Sequence, residues 1–141
     1  MIGKTVDELN VDEKASFTKT ITETDVYLYA GITGDLNPAH VNEEYANKTY
    51  FKTRIAHGML MAGIISAVVG TILPGPGTVY LKQELEFLSP VHFGDTITAW
   101  VEVVEILGNR KHVRLRTTCV NQEGETVVDG EALVSPPRKK R

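Results

Sequence analysis

At 141 residues the chain fits one domain, long enough to bury a real core. Its composition is that of a soluble globular chain, and its net charge of −3 is unevenly spread: the tail Arg138-Lys139-Lys140-Arg141 holds four of the 15 basic residues, leaving 11 against 18 acidic ones elsewhere. A body of that sign excludes a nucleic-acid-binding domain.

Lys4, Asp7, Glu8, Asp12 and Glu13 break up the opening stretch, so no apolar signal-peptide region is expected. Residues 15–21 read as a strand with Phe17 and Ile21 on one face and Ser16, Thr18 and Thr20 on the other. Thr22 or Thr24 can cap a helix that runs to about Ile32 and presents Val26, Tyr27, Tyr29 and Ala30. Gly31 and Gly34 end it and open the loop Gly34-Asp35-Leu36-Asn37-Pro38-Ala39-His40, with Asn37-Pro38 expected to hold the chain off helical geometry. Asn42 caps a short helix over residues 43–48, and an irregular link through Phe51 and Arg54 follows.

Residues 58–73, GMLMAGIISAVVGTIL, carry no formal charge and predict a helix buried all round. It would span about 24 Å, short of the ~20 apolar residues a membrane crossing needs. Gly58, Ala62, Ser66 and Gly70 form a ridge of small side chains, and Pro74-Gly75-Pro76-Gly77 stops the helix. Beyond that turn the period changes to two. Residues 78–88 set Val79, Leu81, Leu85 and Phe87 against Tyr80, Lys82, Glu84 and Glu86; residues 96–107, 111–121 and 126–134 alternate in the same way. One-sided alternation means antiparallel strands with one covered face. The only wholly apolar element able to cover it is 58–73, so the expectation is α+β: a long antiparallel sheet wrapped around a central apolar helix with an overhanging helical and loop segment, the hot-dog architecture. One domain over 1–135 and a solvated basic tail over 136–141 complete the reading. The single cysteine, Cys119, excludes an internal disulfide and fits a reducing, cytoplasmic setting.

Asp35 and His40 share one short loop, where a carboxylate and an imidazole can reach a single water. On spacing alone, a turn-forming Asp and a surface His remain the commoner roles. At the helix start, His57-Gly58 leaves the first N–H groups open to a ligand oxygen. No cysteine pair or His-x-x-x-His spacing supports a metal site, and no phosphate-binding loop, nucleophile elbow or dinucleotide fingerprint is present. Ser66 either bonds back to its own helix or meets a polar group from another segment.

Taken together, Gly31-Ile32-Thr33-Gly34-Asp35-Leu36-Asn37-Pro38-Ala39-His40, then Arg54-Ile55-Ala56-His57-Gly58-Met59-Leu60, then Ser66, closely resemble the MaoC-like (R)-specific enoyl-CoA hydratases. The resemblance implies reversible hydration of a trans-2-enoyl-CoA to an (R)-3-hydroxyacyl-CoA with no cofactor, coenzyme A being part of the substrate. It assigns Asp35 and His40 to holding and activating the water, the Gly58 backbone N–H to the thioester oxygen, and Ser66 to supporting Asp35. Asn37, Arg54, His57 and Met59 are further candidates for substrate contact; Lys52, Arg54, Arg110 and Lys111 are candidates for the coenzyme A phosphates. An open sheet edge and an exposed helix flank predict a homodimer, with no membrane or nucleic-acid partner. The alternatives are a dehydratase of 3-hydroxyacyl groups on acyl carrier protein, a thioesterase, and a non-catalytic acyl-CoA-binding protein.

Overall fold

Each period-two stretch forms a strand of one antiparallel sheet: β1 (Lys14–Thr20), β2 (Val79–Phe87), β3 (Thr96–Ile106), β4 (Val113–Val120) and β5 (Thr126–Ser135), in the order β1-β3-β4-β5-β2. The structure, a computed structural model, describes residues 1–139; of the basic tail, Lys140 and Arg141 lie outside the described residues. Before and between the strands come α1 (Glu23–Thr33), the short α2 (Pro38–Val41) and α3 (Glu43–Ala46), and the long α4 (Gly58–Thr71).

In β3 and β4 the alternation is literal. Ile97, Ala99, Val101 and Val103, then Val113, Leu115, Thr117 and Cys119, are all buried, because these central strands carry α4 on one face. Met61, Ile64, Ile65, Val68 and Val69 of α4 supply the other side of that core. At about 1.5–3 kcal/mol for each fully buried aliphatic side chain, this row fixes how α4 lies on the sheet. The result is the hot-dog fold.

Three expectations change. The alternation of β2 inverts at a bulge between Tyr80 and Lys82, where one extra residue shifts the phase. Val79 and Leu81, read from the sequence as covered, are 56% and 47% exposed. Tyr80 packs against the core instead, Leu85 packs there as expected, and the Tyr80 hydroxyl donates to Gln83 Oε1 at 2.7 Å. The second change concerns α4, which is not buried all round within the chain but keeps the exposed flank on which the homodimer expectation rests. It packs on β3, β1 and β4, and its opposite flank, with Met59, Gly63, Ser66 and Gly70, is exposed in the single chain. Lack of charge marks a face that some surface covers, but not that the same chain covers it. The end of β5 also differs from a solvated tail: Pro136 and Pro137 are buried, and Lys139 Nζ lies 4.0 Å from Asp7. Among the described residues, no helix is long and apolar enough to cross a membrane.

Candidate active site

The overhanging segment begins at a well-determined point. Thr22 caps α1, its hydroxyl accepting the Asp25 N–H at 3.1 Å while Asp25 accepts the Thr22 N–H at 2.9 Å, a reciprocal capping box. The helix ends at Gly34, whose φ of 81° is a left-handed cap conformation that glycine adopts without strain. That turn delivers Asp35 to an exposed loop, where its carboxylate accepts the Asn37 N–H at 3.3 Å.

Asn37 and Pro38 do not hold the chain off helical geometry. They start a helix: the Asn37 side chain accepts the Ala39 N–H at 3.1 Å, and Pro38 sits at the first turn of α2, where its fixed φ suits and its missing N–H is not needed. Asn37 is therefore a cap that presents His40 on α2, and it does not line the cavity described below.

His40 is half-buried. Its Nδ1 lies 2.7 Å from the Ile55 carbonyl. A carbonyl only accepts, so Nδ1 carries the hydrogen and Nε2 keeps its lone pair. Ile55 is itself pinned, its N–H donating to the Ala39 carbonyl at 3.2 Å, and the next residue's N–H donates to the Val91 carbonyl at 2.8 Å. Burial pushes the His40 pKa below its ordinary value of 6.5, and His57 adds to that, against opposing contributions from the Ile55 bond and the Asp35 charge. The imidazole is thus set to stay a base to lower pH than a free histidine.

His40 and Gly58 both line an apolar cavity of about 480 Å³, walled by Phe51, Met59, Phe87 and Val91 among others. Gly58 opens α4, so its N–H has no acceptor within the helix and sits at the positive end of the dipole. A Cβ built on Gly58 would lie 2.7 Å from Phe87 Cδ1. The glycine is there for space. The ring of Phe87, in phase with Leu85 downstream of the bulge, faces α4 as the alternation expects and lies over the helix start, still 52% exposed there.

Ligating atoms of Asp35, His40 and His57 fall within 4.8 Å of one another. The two imidazoles are stacked, however, with ring centroids 3.9 Å apart and planes inclined by 32°. Stacked rings project their in-plane lone pairs side by side, which suits one ion at about 2.0–2.1 Å from each nitrogen poorly. Asp35 and His40 of this group suit proton transfer to and from one water.

The remaining candidates divide. Met59 lines the cavity. His57 does not; it is 2% exposed behind His40. Arg54 is committed elsewhere, bonded to Glu23 at 2.9 Å and Glu43 at 3.0 Å, to the Tyr27 hydroxyl, and laid over the Phe93 ring at 4.9 Å. It ties the start of α1 to α3, which removes it as a ligand for phosphate. Arg54→Ala should therefore lower Tm by about 3–5 °C and leave KM for the substrate within about twofold; a KM raised tenfold at unchanged Tm would return Arg54 to the binding residues. Ser66 is exposed on the free flank of α4, roughly 12 Å along the helix from Gly58 at 1.5 Å per residue, and among the described residues it makes no hydrogen bond to Asp35. Arg110 and Lys111 sit at the β3–β4 turn, next to Val113, which pairs with Val134. The cavity reaches β5 at Val128, six residues and about 20 Å away. Of the basic candidates, Lys52 is exposed and follows the cavity-lining Phe51 in sequence.

A family model for the MaoC like domain matches residues 7–126. The chain is 53% identical over 133 residues to the (R)-specific enoyl-CoA hydratase of Rhodospirillum rubrum, covering 94% of this chain and 92% of that protein. It is 49% identical to the 3-hydroxybutyryl-CoA dehydratase of Methylorubrum extorquens, over 94% of this chain and 84% of the other. Among solved structures, the unliganded R-hydratase PhaJ1 of Pseudomonas aeruginosa superposes with a TM-score of 0.92 at 47% identity, over 97% of this chain and 88% of that one.

Proposed function

The chain belongs to the MaoC-like domain family, and from that premise we propose that it adds water to trans-2-enoyl-CoA to give (R)-3-hydroxyacyl-CoA, and removes it in reverse. The observation that carries this is the sharing of one apolar cavity by the His40 imidazole and the unpaired leading amide of α4.

The thioester oxygen accepts the Gly58 N–H, and the acyl chain lies along the apolar wall. A water bound between the Asp35 carboxylate and His40 Nε2 adds its oxygen to C3 as Nε2 takes one of its protons. Charge then develops on the thioester oxygen as an enolate, where one fixed N–H contributes about 3–4 kcal/mol of stabilisation. Protonation at C2, with Asp35 helping to return the proton, completes the addition of one water across the double bond. Both hydrogens come from that water, so the addition is redox-neutral and needs no electron acceptor. Loss of enoyl absorbance across C4 to C12 thioesters, with the product's chirality checked, tests this. Release of free thiol without hydration would make the protein a thioesterase, and tight acyl-CoA binding with no turnover would make it a binding protein. A far higher kcat/KM on the acyl-carrier-protein thioester would move the substrate handle.

The active form we propose is a homodimer. Its support is the uncovered flank of α4 beside the edge strand β2, whose Val79 and Leu81 face outward. The single chain makes no Ser66–Asp35 bond among the described residues, so support of Asp35 by Ser66 would have to come from a partner's copy. Sedimentation should give twice the mass of the chain, and Ser66→Ala should cost less activity than Asp35→Asn. A stable monomer with full activity would sink the arrangement. A reducing cytoplasm suits the buried thiol of Cys119.

A further inference from the structure

His57 is among the largest fully buried side chains of the protein, at 2% exposure, and it touches every part of the site without lining the cavity. Its Nε2 lies 2.9 Å from the Asp35 carbonyl, so Nε2–H is the donor. Its ring stacks on His40 at 3.9 Å between centroids and packs, tilted by 51°, against Tyr29 at 4.6 Å. It is the residue that caps α4 and is bonded directly to Gly58, yet it makes no side-chain cap bond.

Its other nitrogen, Nδ1, is buried with no hydrogen-bond partner among the described residues. An unpartnered buried nitrogen is destabilising. For folding alone, a phenyl ring would fill this place better: it would keep both ring contacts and bury no polar atom. The Asp35 carbonyl would lose little, since Asp35 is exposed and water can replace the bond. What a phenyl ring could not do is hold the Asp35 backbone at a fixed distance from the His40 ring.

We propose that His57 is a positioning residue for the hydration reaction: its Nε2–H tethers the Asp35 main chain while its ring backs the His40 imidazole and its own peptide unit carries the Gly58 amide. One side chain thereby sets the mutual spacing of the three groups assigned to the chemistry. This rests on the hydratase reading above. A displacement of about 1 Å among reacting groups costs on the order of 10²-fold in rate; the bonds from Ile55 hold Ala39 and His40, and the bond from His57 is the one that holds Asp35 itself.

The test compares His57→Phe with His57→Gln, whose side-chain amide can reach the Asp35 carbonyl as Nε2–H does. His57→Phe should keep or raise Tm, lower kcat by about 10²-fold and leave KM for crotonyl-CoA nearly unchanged. His57→Gln should recover at least tenfold of that loss. The titratable groups facing His40 are Asp35, which raises its pKa, and His57, which lowers it; the acid limb of kcat/KM should therefore move to higher pH in His57→Phe. A phenylalanine variant with kcat within threefold of wild type would overturn the proposal, as would equal losses in both variants in step with Tm. Should the wild-type protein hydrate no enoyl thioester, the hydratase reading falls. The positioning role falls with it in that case, whereas a fully active His57→Phe overturns the positioning role and leaves the hydratase reading standing.

Discussion

His40→Asn should lower kcat by about 10²–10⁴-fold, the usual contribution of a positioned general base, with Tm little changed. Asparagine is the informative replacement, because its Nδ2 can keep the bond that His40 Nδ1 donates to the Ile55 carbonyl while nothing remains at the place of Nε2. His40→Ala would lose both and confuse a chemical loss with a loosened α2. The same care applies to Asp35, whose carboxylate accepts the Asn37 N–H. Asp35→Asn preserves an acceptor there and removes only the charge, and it should cost a loss in the same range. The pH profile carries a sign. A base works unprotonated, and burial holds the His40 pKa below 6.5, so the acid limb of kcat/KM belongs below that pH. The Asp35 charge favours the imidazolium and raises the pKa. Asp35→Asn should thus move the limb to still lower pH, opposite to the direction expected for His57→Phe. Near wild-type crotonyl-CoA turnover in His40→Asn, or an acid limb fixed in both other variants, would remove His40 from the role of base.

The parts of the fold that were legible beforehand are those where local pattern and tertiary environment agree. Strands β3 and β4 are central, each covered by α4 on one face and open on the other, so period two alone sorts Ile97, Val101 and Leu115 to the inside. The capping of α1 by Thr22 and of α3 by Asn42 is equally local, since the bonds close within three residues. Strand β2 defeats the same rule because a bulge is set by pairing with β5, information that lies about fifty residues downstream. Arg54 looks like any cation near a proposed phosphate site until Glu23, Tyr27 and Glu43 are seen to converge on it. The expectation that Asn37-Pro38 holds the chain off helical geometry fails for a different reason: the pair starts helices as well as breaking them, and only the Ala39 N–H shows which occurs.

The grouping of Asp35 and His40 on one loop follows from spacing. Their approach to Gly58 does not, because it depends on Ile55 and His57 drawing residues 35–40 against the start of α4 through two imidazole–carbonyl bonds. Those bonds join segments whose separation in sequence is too long for any periodic signal. The stack of His57 under His40 is invisible in the sequence altogether, since two histidines seventeen positions apart imply nothing about each other.

Gly58→Ala should produce a comparable loss of activity, on the order of 10²–10³-fold in kcat, with stability unchanged or higher. The φ of Gly58 lies outside the left-handed region, so no backbone strain opposes alanine, and a helix gains roughly 0.8–1 kcal/mol in its interior from that exchange, less at the first position. The new methyl would meet Phe87 Cδ1 at 2.7 Å and Cε1 at 2.8 Å, but Phe87 is 52% exposed at the end of β2 and its ring can swing aside. The fold therefore tolerates the change while the space above the amide, where the thioester oxygen must come within hydrogen-bond reach, is taken by a methyl group or by the displaced ring. Gly58→Ala/Phe87→Ala separates the two. Recovery in the double variant would mean that the ring is what blocks the amide, and continued loss would mean that the methyl does. Full activity in Gly58→Ala alone would show that the thioester oxygen takes its hydrogen bond from some other donor, and the oxyanion role of the α4 start would have to be abandoned.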